Sequence, residues 1–78
     1  MTKKYKYITI YQKGSESWND HPYYRIKNNK SGTELGSILY YPPFKDFIFN
    51  QTLQDAVWSA GCLADIMDFM QNEIPKAK

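Results

Sequence analysis

Residues 23–41 read YYRIKNNKSGTELGSILYY and carry the strongest structural signal in the chain. Residues 23–27 and 33–41 are rich in the aromatic and β-branched residues that favour strands. The segment between them, residues 28–32, consists of residue types that form turns or tolerate a positive φ. The pattern therefore predicts two antiparallel strands joined by a short turn, with Gly36 as a bulge or a point of close contact.

Two further strands are predicted, one before this hairpin and one after it. Residues 4–12, KYKYITIYQ, are rich in Tyr, Ile and Thr and predict one continuous strand. Residues 14–22 predict a loop, because glycine, serine, asparagine and proline cluster there. After the hairpin, Pro42 and Pro43 end the strand, since proline cannot donate to a sheet. Residues 44–50, FKDFIFN, predict a fourth strand.

The C-terminal third of the chain predicts one amphipathic helix. Its apolar side chains follow helical spacing and predict a single buried stripe, made of Leu63, Ile66, Met67, Met70 and Ile74. Ser59 is the expected N-cap and Pro75 the expected stop. An earlier start at Thr52, whose surroundings resemble a capping box, would place Gly61 inside the helix at a cost of about 1 kcal/mol. A start near Ala60 is therefore preferred.

Together these elements predict an α+β domain in which an antiparallel meander of about four strands packs on one C-terminal helix. At 78 residues the chain has room for one domain, expected to span residues 1–78. The helix would cover one face of the sheet. The other face would be left to solvent or to a partner.

Composition limits the chemistry that the chain can perform. It contains one cysteine and one histidine, too few for a disulfide or for a zinc site. We expect no cofactor and no metal. Because neither a signal core nor an apolar run of about 18 residues is visible, we also expect no membrane partner and a cytoplasmic location. Charge is uneven: residues 1–45 hold eight basic and three acidic side chains, whereas residues 46–78 hold two basic and five acidic ones.

Several spaced motifs in the chain resemble a family of small uncharacterised proteins encoded by phages, prophages and other mobile elements. The shared pattern is a basic strand, an N-x-x-S-G turn, an L-G-x-I-x-Y strand, an aromatic strand and a C-L-x-D-I-x-x-F helix, here within residues 23–70. Phe44 stands where a tryptophan is common in the family. The resemblance implies a phage-type origin and implies no particular activity.

Two groups of residues were weighed as catalytic or metal-binding candidates. Cys62, in the first helical turn, could pair with His21 as a thiolate and imidazole. The alternative is that Cys62 is a small buried residue and His21 is a turn residue. Asp65 and Asp68 are neighbours on the helix and could act as acid and base or hold Mg²⁺, but a solvated acidic face explains them equally simply. The chain is therefore expected not to be an enzyme.

Basic residues and tyrosines alternate along the predicted strands and suggest a nucleic-acid interface. Arg25, Lys27 and Lys30 could contact phosphates while neighbouring tyrosines stack on bases. The alternative is that these tyrosines pack the small core with their hydroxyls at its rim. Tyr40 and Tyr41 are adjacent in one strand, so at least one of them is expected to point outward.

The leading expectation is a non-enzymatic accessory protein that binds and blocks a host protein, such as an anti-phage defence component. Aromatic residues dominate protein interfaces, and the expected partner-binding residues are Trp18, Tyr40, Tyr41, Arg25, Lys27, Lys30, Asp65 and Asp68, with Phe44 and Trp58 as further anchors. Nucleic-acid binding through the basic, tyrosine-rich sheet face is the alternative. A homodimer formed through an edge strand at residues 4–12 stays open.

Overall fold

The computed structural model describes residues 1–76, which form seven short strands, a 3₁₀ helix (Pro42–Phe44) and one C-terminal helix. The strands are β1 (Thr2–Lys4), β2 (Ile8–Tyr11), β3 (Ser17–Trp18), β4 (His21–Pro22), β5 (Tyr24–Asn28), β6 (Glu34–Tyr41) and β7 (Asp46–Gln51). The helix α1 (Ala60–Asp68) continues through a π-helical segment (Phe69–Glu73) into a last turn (Ile74–Lys76). None of the described helical segments has the length and apolar character required to cross a membrane. The predicted α+β class is confirmed.

Five of the strands form one antiparallel sheet in the order β1-β2-β5-β6-β7. Side chains alternate between its two faces, so the pairing register assigns each residue to a face. The inner face, which packs against α1, carries Ile8, Ile10, Tyr24, Ile26, Ile38 and Phe47, all buried. The outer face is defined as the opposite face of the sheet.

The predicted hairpin at residues 23–41 is present as β5 and β6. Its turn forms because the Asn28 side chain accepts hydrogen bonds from the Lys30 and Ser31 amides at 2.8 and 3.0 Å. Gly32 has a φ of 74°, the left-handed conformation that glycine adopts without strain. The register shifts beside Ile26, opposite Gly36, so the irregularity expected there is confirmed.

The single strand predicted at residues 4–12 is wrong, because the structure divides it into β1, a turn and β2. The turn closes through a bond of 2.8 Å from the Tyr5 amide to the Ile8 carbonyl. Asn29, from the turn between β5 and β6, donates its side-chain amide to the Tyr5 carbonyl at 2.8 Å. Since a distant residue stabilises this turn, local composition does not reveal it. The sheet consequently has five strands where about four were expected.

The segment predicted as a loop, residues 14–22, contains the small hairpin β3–β4. Asn19 and Asp20 connect its strands with φ values of 54° and 64°. Two successive positive φ angles characterise the tight turns that join antiparallel strands, and asparagine and aspartate accept them more readily than most residues do. The His21 ring stacks on the Tyr40 ring with centroids 3.8 Å apart, which attaches the hairpin to β6 on the inner face.

The helix begins where it was predicted to begin. Ser59 is its N-cap and accepts a hydrogen bond from the Cys62 amide at 3.1 Å. Its end differs from the prediction, because Pro75 lies within the last turn and does not end it. The Ile74 amide bonds to the Phe69 carbonyl, five residues back, in the wider π-helical geometry.

The predicted buried stripe of the helix is only partly correct. Ile66 and Ile74 are buried, but Leu63 is 46% and Met67 57% exposed, while Phe69 is fully buried. The helix is therefore turned toward Phe69 by about one residue position relative to the prediction. The Phe69 ring packs edge-on against Tyr24 with centroids 5.0 Å apart, and this contact explains the orientation.

Candidate protein-docking face

Apolar side chains occupy one end of the outer face. Leu39 on β6 pairs with Ile48 on β7, and both are half-buried. Tyr23, immediately before β5, lies on the same face by alternation. Tyr41 is exposed and packs edge-on against the exposed Phe44 ring with centroids 5.0 Å apart. These five residues are called the apolar end, of which Tyr41 and Phe44 are exposed and the other three are partly buried.

The centre of the outer face is occupied by an ion-pair network around Arg25. Its guanidinium donates to both carboxylate oxygens of Glu16 at 2.6 and 2.8 Å and to Glu34 at 2.7 Å. Hydrogen bonding to Arg25 lowers the pKa of Glu16, and the same bonds raise the pKa of Arg25. Arg25, expected as a cation for a partner, is thus engaged by two acids of its own chain.

Below this network the sheet is shielded from water without the help of a second layer. Ser37 pairs with Arg25 across the strands and is fully buried, and its hydroxyl has no hydrogen-bond partner among the described residues. Thr9 is also buried, and its hydroxyl donates to the Asn29 side chain. The middle of the outer face is therefore covered by the side chains around Arg25, including Glu16 from the connection between β2 and β3.

Trp18 lies beside the outer face and adds a large aromatic surface. It is 54% exposed and, with Tyr23 and Arg25, lines a shallow groove of about 230 Å³. The turn at Asn19 and Asp20 fixes the hairpin that carries it. A tryptophan held on a short hairpin loses little conformational freedom on binding, so Trp18 is well suited to anchor a partner.

Lysines surround the other end of the outer face. Lys4 on β1 and Lys27 on β5 lie on either side of Thr9, and these three residues line a polar groove of about 320 Å³. Lys27 places its ammonium 5.2 Å from the centre of the Tyr11 ring. Lys6 and Lys30 line an adjacent groove. The four lysines are called the basic end, and no acidic residue lines either groove.

The remaining expected partner residues lie elsewhere. Tyr40 is on the inner face beneath His21, so of the two adjacent tyrosines it is Tyr41 that points outward. Asp68 accepts a hydrogen bond from the Tyr5 hydroxyl at 2.7 Å and is partly buried, as is Asp65. Burial and the bond to Asp68 both raise the pKa of Tyr5. The solvated acidic helix face that was expected is thus replaced by contacts with the N-terminal turn.

The two candidate catalytic residues lie at opposite ends of the domain. His21 packs between Tyr40 and Phe47 at one end of the sheet. Cys62 lines a groove with Tyr7 and Asn28 at the other end. The thiol and the imidazole are therefore not brought together.

Sequence reasoning missed the residues that shape the outer face most. Leu39 and Ile48 were not singled out, although alternation from the buried Ile38 and Phe47 assigns both to the outer face. Lys4 is one of the basic residues that the sequence predicts on a sheet face, and the structure places it across Thr9 from Lys27. Comparison of the chain with protein-family models, curated proteins and solved structures finds no match.

Proposed function

We propose that the chain is a non-enzymatic phage or mobile-element accessory protein that binds a host protein through the outer face of its sheet and blocks it. The observation that carries the proposal is the apolar end with its exposed Tyr41 and Phe44, together with the exposed Trp18. The motif resemblance to phage-encoded proteins is what points to a protein of the host as the target.

The chemistry of this surface suits a protein partner. Protein interfaces combine a central aromatic and aliphatic cluster with a polar rim, and a few large anchors supply most of the binding energy. Here the apolar end would supply the cluster. The Arg25 network would supply a rim whose charges are already paired, so that docking leaves no isolated ion to desolvate.

The proposal predicts that binding depends on the outer face and not on exposed apolar residues in general. Trp18→Ala and Leu39→Asp should each reduce capture of the partner from nuclease-treated host lysate, by about 30-fold for an anchor worth roughly 2 kcal/mol. Val57→Asp is the matched control, because Val57 is exposed, aliphatic and on the helix side. Equal capture by all three variants would contradict the proposal.

Nucleic-acid binding is the second candidate, and the basic end is the observation that favours it. Four lysines surround two grooves that no acid lines. If phosphates bind there, affinity should fall steeply with salt, and replacing Lys4 and Lys27 with alanine should reduce the slope of log affinity against log salt by about 2. A partner that survives nuclease treatment and binds in high salt would exclude this candidate.

A further inference from the structure

The two edges of the sheet differ in how well they are protected from strand pairing. The edge strand β1 has three residues, of which Lys3 and Lys4 are charged. The other edge strand, β7, has six residues, DFIFNQ, and includes neither a lysine nor a proline. Its pairing with β6 runs without a bulge. Soluble proteins protect exposed edges with charges, prolines, bulges or short strands; β1 is short and has two lysines, whereas β7 is longer and has a single charge, Asp46, at its start.

An apolar groove runs beside β7 on the inner side of the sheet. It has a volume of about 520 Å³ and lies between β7 and α1, with Phe47, Phe49, Leu63, Met67 and Met70 among its lining residues. Leu63 and Met67 are exposed there because the helix is turned toward Phe69. On the outer side, β7 is flanked by the apolar end. The strand edge is therefore bordered by hydrophobic side chains on both faces.

The backbone of β7 identifies the kind of group that fits this edge. The Thr52 amide donates to the Leu35 carbonyl, which extends the β6–β7 pairing and shows that even-numbered residues of β7 face β6. Phe49 and Gln51 consequently direct their backbone groups away from the sheet. No strand of residues 1–76 pairs with β7 on that side. A row of amides and carbonyls between apolar borders suits another β-strand.

The sequence of β7 is complementary to itself in one antiparallel register. When two copies of Ile48 face each other, Phe47 of one copy faces Phe49 of the other, and Asp46 faces Asn50. This register forms two aromatic cross-strand pairs and opposes no like charges. If the symmetry centre lay one position further along the strand, at Phe49, then Phe47 of one copy would face Gln51 of the other.

We propose that two copies of the chain form a symmetric dimer by pairing their β7 strands in antiparallel orientation about Ile48. In this dimer the Phe47 amide exchanges its bond with the Asp46 carboxylate, now 2.7 Å, for the Phe49 carbonyl of the second copy. The two sheets join into one sheet of ten strands. The two helices lie on the same side, so Leu63 and Met67 of both copies border the junction.

The dimer goes beyond the proposed function and is compatible with it. A two-fold axis perpendicular to the sheet keeps both outer faces on one side, so both apolar ends stay accessible next to each other. Assembly stops at two copies because each outer edge of the joined sheet is a short, lysine-bearing β1. The expected self-association at residues 4–12 is thereby relocated to β7.

Disulfide trapping tests the register. Ile48→Cys, in a chain whose native Cys62 is changed to Ser, should form a covalent dimer under mild oxidation. Facing residues in a non-hydrogen-bonded antiparallel pair have Cα atoms about 4.5 Å apart, within the range for a disulfide. Asn50→Cys is the control on the same face of the same strand. Its two copies would lie four residues apart, about 13 Å, and should not cross-link.

Sedimentation equilibrium over a range of concentrations tests the dimer without a cross-link. The unmodified chain should approach twice its monomer mass of 9.2 kDa as concentration rises. Ile48→Lys places two ammonium groups at the symmetry centre and should weaken the dimer at least 10-fold. Val57→Lys puts the same change on an exposed aliphatic residue outside the sheet and should leave dimerisation intact, and circular dichroism verifies that both variants fold.

Each result either supports the dimer or overturns it. A cross-link at Ile48→Cys but not at Asn50→Cys, together with dissociation by Ile48→Lys alone, supports it. A monomer at every concentration, a dimer indifferent to Ile48→Lys, or a dimer trapped by Lys4→Cys instead overturns it. Capture of a host protein by a strictly monomeric chain would leave the proposed function standing and would assign the β7 edge to a strand of that protein.

Discussion

Replacing Phe69 with alanine should destabilise the domain by about 3–5 kcal/mol, the usual cost of removing a buried aromatic ring. Phe69 is fully buried, and its ring contacts that of Tyr24 at 5.0 Å. A domain of this size has a free energy of unfolding of only about 4–12 kcal/mol. Urea denaturation followed by circular dichroism should therefore find the midpoint of Phe69→Ala far below that of the parent chain.

Leu63→Ala is the matched control for this experiment. The spacing of apolar residues predicts Leu63 in the buried stripe, whereas the structure leaves it 46% exposed. Its replacement should cost less than about 1 kcal/mol, because an exposed side chain loses little burial. A large loss for Leu63→Ala and a small one for Phe69→Ala would restore the predicted orientation of the helix and contradict the structure.

Gly36→Ala should destabilise the domain by about 1–3 kcal/mol, the cost of overpacking. A Cβ atom at this position would lie 2.7 Å from the Asn50 carbonyl oxygen and 3.0 Å from the Phe49 ring. The carbonyl belongs to the backbone of the neighbouring strand, so relief requires β6 and β7 to separate. Thermal denaturation of the variant provides the measurement.

Gly61→Ala serves as the control, because this replacement should stabilise the domain, whereas Gly36→Ala should destabilise it. Gly61 lies in the first turn of α1, where an added Cβ would meet only the Ser59 hydroxyl at 3.7 Å. Alanine is favoured over glycine in a helix by up to about 1 kcal/mol, so this variant should be more stable than the parent chain. A Gly36→Ala variant as stable as Gly61→Ala would show that the two strands are not in close contact at Gly36.

The central hairpin could be predicted because its determinants are local. The Asn28 side chain and the positive φ of Gly32 form the turn within five residues of sequence. The N-cap at Ser59 is equally local. By contrast, the turn after β1 depends on Asn29, more than twenty residues away, so the continuous alternation of residues 4–12 resembled one strand.

The orientation of the helix could not be predicted because apolar residues cover a wide arc of it. Helical spacing alone would allow any of five apolar residues to face the sheet, namely Cys62, Leu63, Ile66, Met67 and Phe69. The packing of Phe69 on Tyr24 selects one orientation, and the bond from Tyr5 to Asp68 accompanies it. Both contacts join segments that are distant in the sequence, so the spacing of apolar residues along the helix gives no information about either contact.

The exposure of two aromatic residues could be predicted, and the pairing of the charges on the outer face could not. Trp18 and Tyr41 are exposed as expected, because a loop tip and strand alternation both determine exposure locally. The pairing of Arg25 with Glu16 and Glu34 depends on the loop before β5 and on the strand after it. The expected basic surface is therefore confined to the lysines around Lys4 and Lys27.

Solvent paramagnetic relaxation measured on side-chain methyl groups tests the openness of the outer face most directly. With a soluble gadolinium chelate, the methyls of Leu39 and Ile48 should relax faster than those of the inner face, since both residues are only partly buried at the apolar end. The methyls of Ile26 and Ile38, fully buried on the inner face, should change little. Equal protection of all four residues would mean that the outer face is covered, and the docking proposal would fail.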